Sequence, residues 1–368
     1  MKTVVLTDGR YRSSIAAARA LGRAGYRVVV TETRGDLRRD PPVFSSVFAD
    51  GVWIEGSVKD KEYPARLAGL LKNFDRPVLF PIGAATLSAA AANREELSAL
   101  ADFIVSPPDV LEKLNDKSLV HARADALGIP VPKEYKGTPP DAYPVVVKPR
   151  CGEKLGLKAA DRYALARNEK EFGEIYAKIS AYDPDPIVQE RIEGEGRGAS
   201  LLLGRDGELI SAICHRRIRE YPATGGPSTC CVSEYDSELI DAAYRLLSDF
   251  GFCGFAMVEF KGGRLLEVNP RVWGTFPLTV FTGSGFCVNY VRAASGERVE
   301  YVPRDYEVGK KMRFVVNDLA ASADLIRRGR IKAGFSGLAD FFRVGEALKD
   351  KEDRKAYRLY VRSYFKKQ

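Results

Sequence analysis

The stretch that decides the fold is 254-GFAMVEFKGGRLLEVNPRVWG-274. Two runs of alternating residues, FAMVEF and RLLEVN, flank a turn at 261–263, a pattern typical of a β-hairpin. Alternation along a strand places Met257 and Glu259 on one face, and it places Glu267 and Asn269 together on the returning strand. We therefore expect two carboxylates and an amide to converge from neighbouring strands.

Three oxygen ligands at one spot suit Mg²⁺ or Mn²⁺, which take their remaining ligands from water and phosphate oxygens. The alternative is an amphipathic hairpin whose acids face solvent. Pro270 and Arg271 favour the first interpretation, because they place a cation beside the expected phosphate region where the strand ends. We predict that Glu259, Glu267 and Asn269 bind the metal.

A second segment, 145-VVVKPRCGEKLGLKAA-160, has the residues for holding phosphate. A β-branched strand ends at Lys148, and a loop with Gly152 and Gly156 follows it. Glycines let backbone N–H groups approach phosphate oxygens, and the lysine supplies a charge. The Walker A pattern is absent, and an ordinary loop remains the alternative.

A third segment, 187-IVQERIEGEGRGASLLL-203, predicts a strand, a glycine-broken turn and another strand. Backbone groups exposed at such a turn can bind the edge of an adenine. Glu190 or Glu195 can accept hydrogen bonds from its amine or from ribose hydroxyls. The alternative is a charged hairpin turn.

Upstream of these segments the chain predicts a small α/β domain. Buried strands at 3–7 and 27–31 enclose an amphipathic helix, which implies a parallel sheet with a right-handed crossover. The dinucleotide fingerprint G-x-G-x-x-G is absent after the first strand, so we expect this domain to form one wall of a cleft. Two helices separated by Asp116 follow at 107–128, and the tail has a strand candidate at 311–316 before a helix at 318–328.

The composition limits the classes of protein to which this chain can belong. The 368 residues suggest two or three domains, and no apolar run is long enough to span a membrane. The N-terminus lacks a secretory pattern, so we expect a cytoplasmic protein. Six cysteines without metal spacing and only two histidines argue against zinc. The net charge of +8 includes clusters at 216–219, 327–332 and 366–367. Small anionic partners explain this charge as well as nucleic acid does, but the sequence has no aromatic-basic platform of the RNA-binding kind, so we do not expect nucleic acid as a partner.

The order of these segments resembles the ATP-grasp superfamily over roughly residues 107–300. LNDKSLVHARADALGIPVP and LLEVNPR are most similar to the branch that contains biotin carboxylase and the carbamoyl-phosphate synthetase large chain. The resemblance implies a Rossmann-like α/β N-terminal domain, an α+β ATP-grasp fold of two subdomains and a small C-terminal extension. The corresponding boundaries are 1–106, 107–186, 187–302 and 303–368.

The resemblance also implies ATP and Mg²⁺ as cofactors, with roles for particular residues. Lys117 and Lys148 would contact phosphates, and the loop Cys151–Gly156 would fold over them. Arg271 would stabilise the transferring phosphoryl group and act with Lys148 in catalysis. Adenine and ribose would lie against Glu190, Arg191, Ile192, Glu193 and Glu195.

The implied activity is a carboxylate–amine or carboxylate–thiol ligase that works through an acyl phosphate. The alternatives are an enzyme that stops at phosphorylation, such as a carbamoyl- or carboxy-phosphate-forming or kinase-like enzyme, and a non-catalytic nucleotide-binding regulatory protein. Residues 272–285 differ from the glutamine- and histidine-bearing set of biotin carboxylase, which argues against biotin as acceptor. Superfamily members often dimerise, so a homodimer is one expectation.

A basic strand before 221-YPATGGPST-229 suggests where an anionic carboxylate or amine substrate binds. Its side chains His215, Arg217 and Arg219, with Ser228, would clamp a carboxylate or phosphate. Trp273 and Phe276 would line the same pocket or belong to the core. A solvated basic strand is the alternative interpretation.

Overall fold

The computed structural model describes residues 1–136, 139–150, 163–223 and 225–365. Within these ranges no helix is long and apolar enough to cross a membrane.

The N-terminal part contains a four-stranded parallel sheet in the order β3-β2-β1-β4. The predicted strand–helix–strand unit is present, and its β-branched strands are buried because helices cover a parallel sheet. The elements are β1 (Thr3–Leu6), α1 (Arg12–Arg23), β2 (Arg27–Thr33), β3 (Asp50–Ile54), α2 (Tyr63–Leu71), β4 (Val78–Phe80), α3 (Ala84–Ala92) and α4 (Arg94–Ser98).

Two helices follow as predicted, α5 (Pro108–Asn115) and α6 (Lys117–Ala126). They are separate because Asp116 is extended and caps α6: its Oδ1 accepts from the N–H groups of Ser118 at 2.9 Å and Leu119 at 3.1 Å. The cap fixes the first residue of α6, which is Lys117.

A small three-stranded antiparallel sheet in the order β6-β5-β7 comes next, with its own apolar core. It comprises β5 (Val145–Lys148), β6 (Ala164–Ala166), α7 (Glu169–Ser180) and β7 (Ile187–Glu190). Our boundary at residue 187 cuts this sheet, because β7 hydrogen-bonds to β5 along its whole length.

The largest sheet has seven strands in the order β12-β11-β8-β9-β10-β13-β14. One face packs against α1 and the N-terminal sheet, and the other packs against α5, α6 and α8. Trp273 and Phe276 are buried in the first of these cores, which is the second of the two positions predicted for them. The elements are β8 (Gly196–Leu203), β9 (Leu209–Glu220), β10 (Ser228–Glu234), α8 (Ser237–Asp249), β11 (Gly254–Lys261), β12 (Arg264–Asn269), α9 (Pro277–Phe281) and α10 (Phe286–Ala294).

Residues after 303 complete this sheet, since β13 pairs with β10 and β14 pairs with β13. The predicted strand ends early, at Arg313, because Glu346 Oε2 accepts from Val315 N at 2.6 Å and starts a helix there. The elements are β13 (Lys311–Arg313), α11 (Val315–Arg327), α12 (Ile331–Ala339), β14 (Gly345–Glu346) and α13 (Arg354–Ser363).

We expect Asp116→Ala to lower the free energy of unfolding by about 1 kcal/mol, because two N–H groups of α6 lose their acceptor. Urea denaturation measures the change. Asp241→Ala is the matched control, because it removes only an exposed pair with Arg245 and should cost about 0.5 kcal/mol or less. An equal loss in both variants would contradict the capping role.

Candidate functional site

The hairpin of β11 and β12 brings the three predicted metal ligands together. Glu259 lies directly opposite Glu267, and Met257 lies opposite Asn269. Asn269 Nδ2 donates to Glu259 Oε1 at 3.3 Å and to Glu267 Oε1 at 3.4 Å. The side chains therefore form one cluster at the end of the hairpin.

Cations from two other elements compensate the carboxylates. Arg217 of β9 forms an ion pair with Glu259, and Lys117 Nζ of α6 lies 3.4 Å from Glu267 Oε2. Strand β8 stands between β9 and β11, and Arg217 crosses it at Gly196, which has no side chain to block the path. At Gly198 the ring of His215 fills the corresponding space. A Cβ at Gly196 would lie 3.1 Å from Arg217 Cδ. Gly196 also lies in the segment predicted to form the nucleotide-binding turn.

The two carboxyl groups titrate in opposite directions. Desolvation raises the pKa of Glu259, and the neighbouring Glu267 charge adds to the rise against the pull of Arg217. Desolvation acts on Glu267 too, but Lys117 and then Lys148 outweigh it and lower the pKa of Glu267. A proton taken up by the pair would therefore go to Glu259, and Glu267 stays charged.

Lys148 and Arg271 complete the group of cations. Lys148 ends β5 and is only 8% exposed as a residue, and burial, followed by repulsion from Lys117, lowers its pKa to about 8. Arg271 Nη2 donates to Asn269 Oδ1 at 3.2 Å, and its charge acts on Glu259. Four cationic side chains thus act on the two carboxylates of the hairpin, and a third carboxylate, Glu220, lies 3.7 Å from Arg217. The cations still outnumber these three acids, a surplus that suits a polyanion.

A histidine–glutamate pair behind the site escaped the sequence analysis. His121 lies one turn after Lys117 on α6; its Nδ1 hydrogen-bonds to Glu134, and its Nε2 lies 2.9 Å from the Leu266 carbonyl oxygen. Burial opposes ionisation of Glu134, but the pair with His121 lowers the pKa of that carboxyl. The sequence signal for this pair was that His121 is four residues after Lys117, because residues with this spacing share one face of a helix. The pair ties α6 to β12 beside Glu267.

The loop after β1 approaches the other side of the site. Arg12 Nε donates to the Gly274 carbonyl at 2.8 Å, and burial followed by Asp8 raises the pKa of Tyr11 while Arg271 opposes the rise. Asp8 has a positive φ of 59° and accepts from Gly83 N at 2.8 Å and Thr86 Oγ1 at 2.6 Å. This loop is held rigidly facing residues 271–274.

The residues predicted to hold adenine and ribose lie at the turn between β7 and β8. Glu190 Oε1 accepts from Lys133 N at 2.9 Å, Ile192 is buried, and Glu195 pairs with Arg216 at 3.0 Å. Arg191 and Glu193 are 3.7 Å apart at the surface. Their role in nucleotide binding stays a prediction. Gly152 and Gly156 lie outside the described residues.

The structure separates the four residues of the predicted substrate clamp. Only Arg217 reaches the hairpin. His215 is buried, and desolvation followed by Arg217 lowers its pKa to about 3, so the ring is neutral and supplies no positive charge. Ser228 is buried and donates to the Cys230 carbonyl at 3.2 Å.

Arg219 is on the opposite face of the sheet because β9 contains a bulge. Cys231 pairs with Arg217 but Cys230 pairs with Arg219, so Ile218 is an extra residue and the alternation reverses. Arg219 Nε and Nη2 donate to Asp318 at 2.8 Å each, and Nη1 lies 2.7 Å from Asp340. Its guanidinium ties β9 to the C-terminal helices and does not face the site.

We expect Arg219→Leu to lower the free energy of unfolding by about 3 kcal/mol, because Asp318 remains buried without its main cation. Arg216→Leu on the same strand is the control: it breaks more exposed pairs and should cost about 1 kcal/mol or less. Urea denaturation compares the two. Similar small decreases in the free energy of unfolding in both variants would show that Arg219 does not stabilise the fold through Asp318.

One family profile matches the part of the chain that contains the hairpin. The ATP-grasp domain profile matches residues 114–275. No curated protein sequence is similar enough to count as a match.

Solved structures share the fold across most of the chain. The biotin carboxylase domain of the Hydrogenobacter thermophilus 2-oxoglutarate carboxylase, solved with MgADP, ADP and bicarbonate, is 17% identical with a TM-score of 0.64, over 84% of this chain and 73% of that one. Biotin carboxylase from Campylobacter jejuni is 13% identical, with a TM-score of 0.65 over 84% and 74%. An L-amino acid ligase from Bacillus licheniformis is 15% identical, with a TM-score of 0.58 over 81% and 76%.

At these identities the structures establish the fold, and the profile identifies the domain within it. The predicted resemblance is confirmed for the matched part: residues 114–275 form an ATP-grasp domain, and the solved structures share its fold over most of the chain.

Proposed function

We propose that this protein is an ATP- and Mg²⁺-dependent ligase. It phosphorylates a carboxylate to an acyl phosphate, couples that group to an amine or another nucleophile, and releases ADP and phosphate. The observation that carries the proposal is the surplus of cations, Lys117, Lys148, Arg217 and Arg271, around Glu259 and Glu267 within an ATP-grasp domain.

The donor set fits a hard divalent cation. Glu259 and Glu267 are opposed on adjacent strands, and Asn269 bridges them with an amide whose oxygen offers a third donor. Among the described residues, no cluster of three or more His, Cys, Asp or Glu side chains is placed to bind a metal. The proposed site has two carboxylates and one amide, and phosphate oxygens would supply further ligands. When bound, Mg²⁺ neutralises charge on the phosphates and on the transferring phosphoryl group. Mn²⁺ suits the same donors.

The cationic side chains of the chain would do most of the remaining work. Lys117 begins α6 and Lys148 ends β5, so both ammonium groups would be held in position to bind phosphate. Arg271, directed by Asn269 and by the Val272 carbonyl at 3.2 Å, would stabilise negative charge on the acyl phosphate. No serine or cysteine nucleophile is required, because positioning and charge carry the catalysis.

The acceptor would enter between the hairpin and the loop after β1. Arg12 fixes that loop to Gly274, and Tyr11 lies within electrostatic range of Arg271. An acceptor held there would face the activated carboxylate. The L-amino acid ligase among the similar structures supports an amine as nucleophile.

We expect Glu267→Gln to reduce Mg²⁺-dependent ADP release by about a hundredfold or more, because the charged ligand of the pair is lost. The melting temperature should hold, since the change also removes a like-charge contact with Glu259. A coupled assay of ADP against pooled amino acids and organic acids measures turnover, and exposed Glu238→Gln is the control.

The same assay separates the alternatives. ADP release without a coupled product would favour a kinase-like or carboxy-phosphate-forming enzyme, and tight ATP binding without turnover would favour a regulatory protein. Full activity in Glu267→Gln would refute the metal assignment.

We expect the affinity for ATP to fall as pH rises through about 8. The pKa of Lys148 is lowered to about 8, so above that pH the free protein loses the cation that phosphate prefers. Above the pKa, the affinity for ATP should fall by about tenfold per pH unit, because binding is linked to one proton. Isothermal titration calorimetry measures the affinity for ATP at each pH. The variant Lys148→Met should bind ATP weakly and without this pH dependence. The control Lys170→Met, at an exposed lysine, should keep the pH dependence of the unaltered protein. A step that persists in Lys148→Met would assign the titration to another group.

A further inference from the structure

The C-terminal helices expose an apolar stripe that the proposed function does not use. We define the α12 stripe as Ile331, Phe335, Leu338, Phe341 and Phe342, whose residues are 54%, 60%, 36%, 49% and 88% exposed. The spacing 331, 335, 338 and 342 repeats with the helical period, so the side chains follow one face. Contiguous exposed apolar groups of this kind mark an interaction surface.

The stripe faces outward because the opposite face of α12 is made of glycine. A Cβ at Gly334 would lie 2.8 Å from the Ser322 carbonyl oxygen of α11, and one at Gly337 would collide with Ser322 Oγ. The two helices therefore pack with their backbones close together, and only small residues fit between them. The large apolar side chains of α12 are left on the solvent side.

The end of the stripe is fixed to the large sheet. Asp340, next to the two phenylalanines, lies 2.7 Å from Arg219 Nη1, and the Phe341 ring lies 5.0 Å from the Arg313 guanidinium. Arg313 is a buried residue of β13 whose Nε and Nη2 have no hydrogen-bond partner in the described part of the chain. Phe342 thus projects from a firmly attached segment.

A basic rim flanks the stripe at both ends. Residues 327–343 contain five cations and a single acid, Asp340, which is engaged by Arg219. The cations are all exposed, and we define the basic rim as Arg327, Arg328, Arg330, Lys332 and Arg343. Four of these cations form the basic cluster predicted at 327–332, which borders the apolar residues of the stripe.

We propose that the α12 stripe and its basic rim dock onto an anionic lipid membrane surface. Apolar side chains enter the boundary between headgroups and acyl chains, and the arginines and lysine bind the lipid phosphates. A second copy of the chain is a poor occupant, because a two-fold contact would bring the basic rim against itself. The phenylalanine side chains of the stripe are exposed to solvent, as insertion into the headgroup region of a membrane requires.

Cosedimentation of the full chain with vesicles tests the proposal. We expect binding to vesicles of phosphatidylcholine with phosphatidylglycerol, and much weaker binding to phosphatidylcholine alone. Phe335→Ser with Phe342→Ser should weaken binding at least about tenfold, because apolar insertion is lost. Arg327→Gln with Lys332→Gln should weaken it roughly fivefold per charge at low salt.

The control is Val47→Ser with Arg39→Gln, which removes an exposed apolar residue and a cation from the N-terminal part. It should bind like the unaltered protein, and all variants should keep the same melting temperature. Equal binding of the phenylalanine variant would overturn the proposal. So would a concentration-dependent dimer that the same variant abolishes, or binding to single-stranded RNA in preference to anionic vesicles.

Discussion

The structure depends on placing two carboxylates side by side on one hairpin. Glu259 and Glu267 are opposed and partly buried, and like charges so close are stable only if cations reach them. Those cations come from elements far apart in sequence: Lys117 begins α6, and Arg217 lies on β9. Because each carboxylate requires its partner, the hairpin fixes how a helix and a non-adjacent strand must be arranged around it.

This requirement explains features of the large sheet that otherwise look unrelated. A strand between β9 and β11 would normally block contact across it, and Gly196 opens a path for Arg217. One extra residue, Ile218, then turns Arg219 to the other face, where it meets Asp318. Two arginines two positions apart thus serve different purposes: one compensates the site, and the other fastens the C-terminal helices.

The parts that were predictable from sequence depend on local periodicity. Alternation gave the hairpin and the shared face of Glu267 and Asn269, and Asp116 marked the break between α5 and α6. The face of the sheet on which Arg219 lies was not predictable from the sequence. A bulge reverses the alternation of side chains along the strand, and the composition carries no signal for it. The contact of His121 with Leu266, 145 residues away, was equally hidden, because long-range pairing leaves no local pattern.

Strand β9 physically connects the candidate site with the C-terminal surface. Arg217 holds Glu259 on one face, and two residues later Arg219 holds Asp318 of α11 and Asp340 beside the α12 stripe. The carboxylates of α11 and of the segment after α12 converge on one guanidinium, so these helices cannot shift independently of β9. A surface bound through the α12 stripe would therefore hold the site at a fixed orientation to that surface. The coupling is positional: it requires no conformational change, only that the buried ion pairs stay intact.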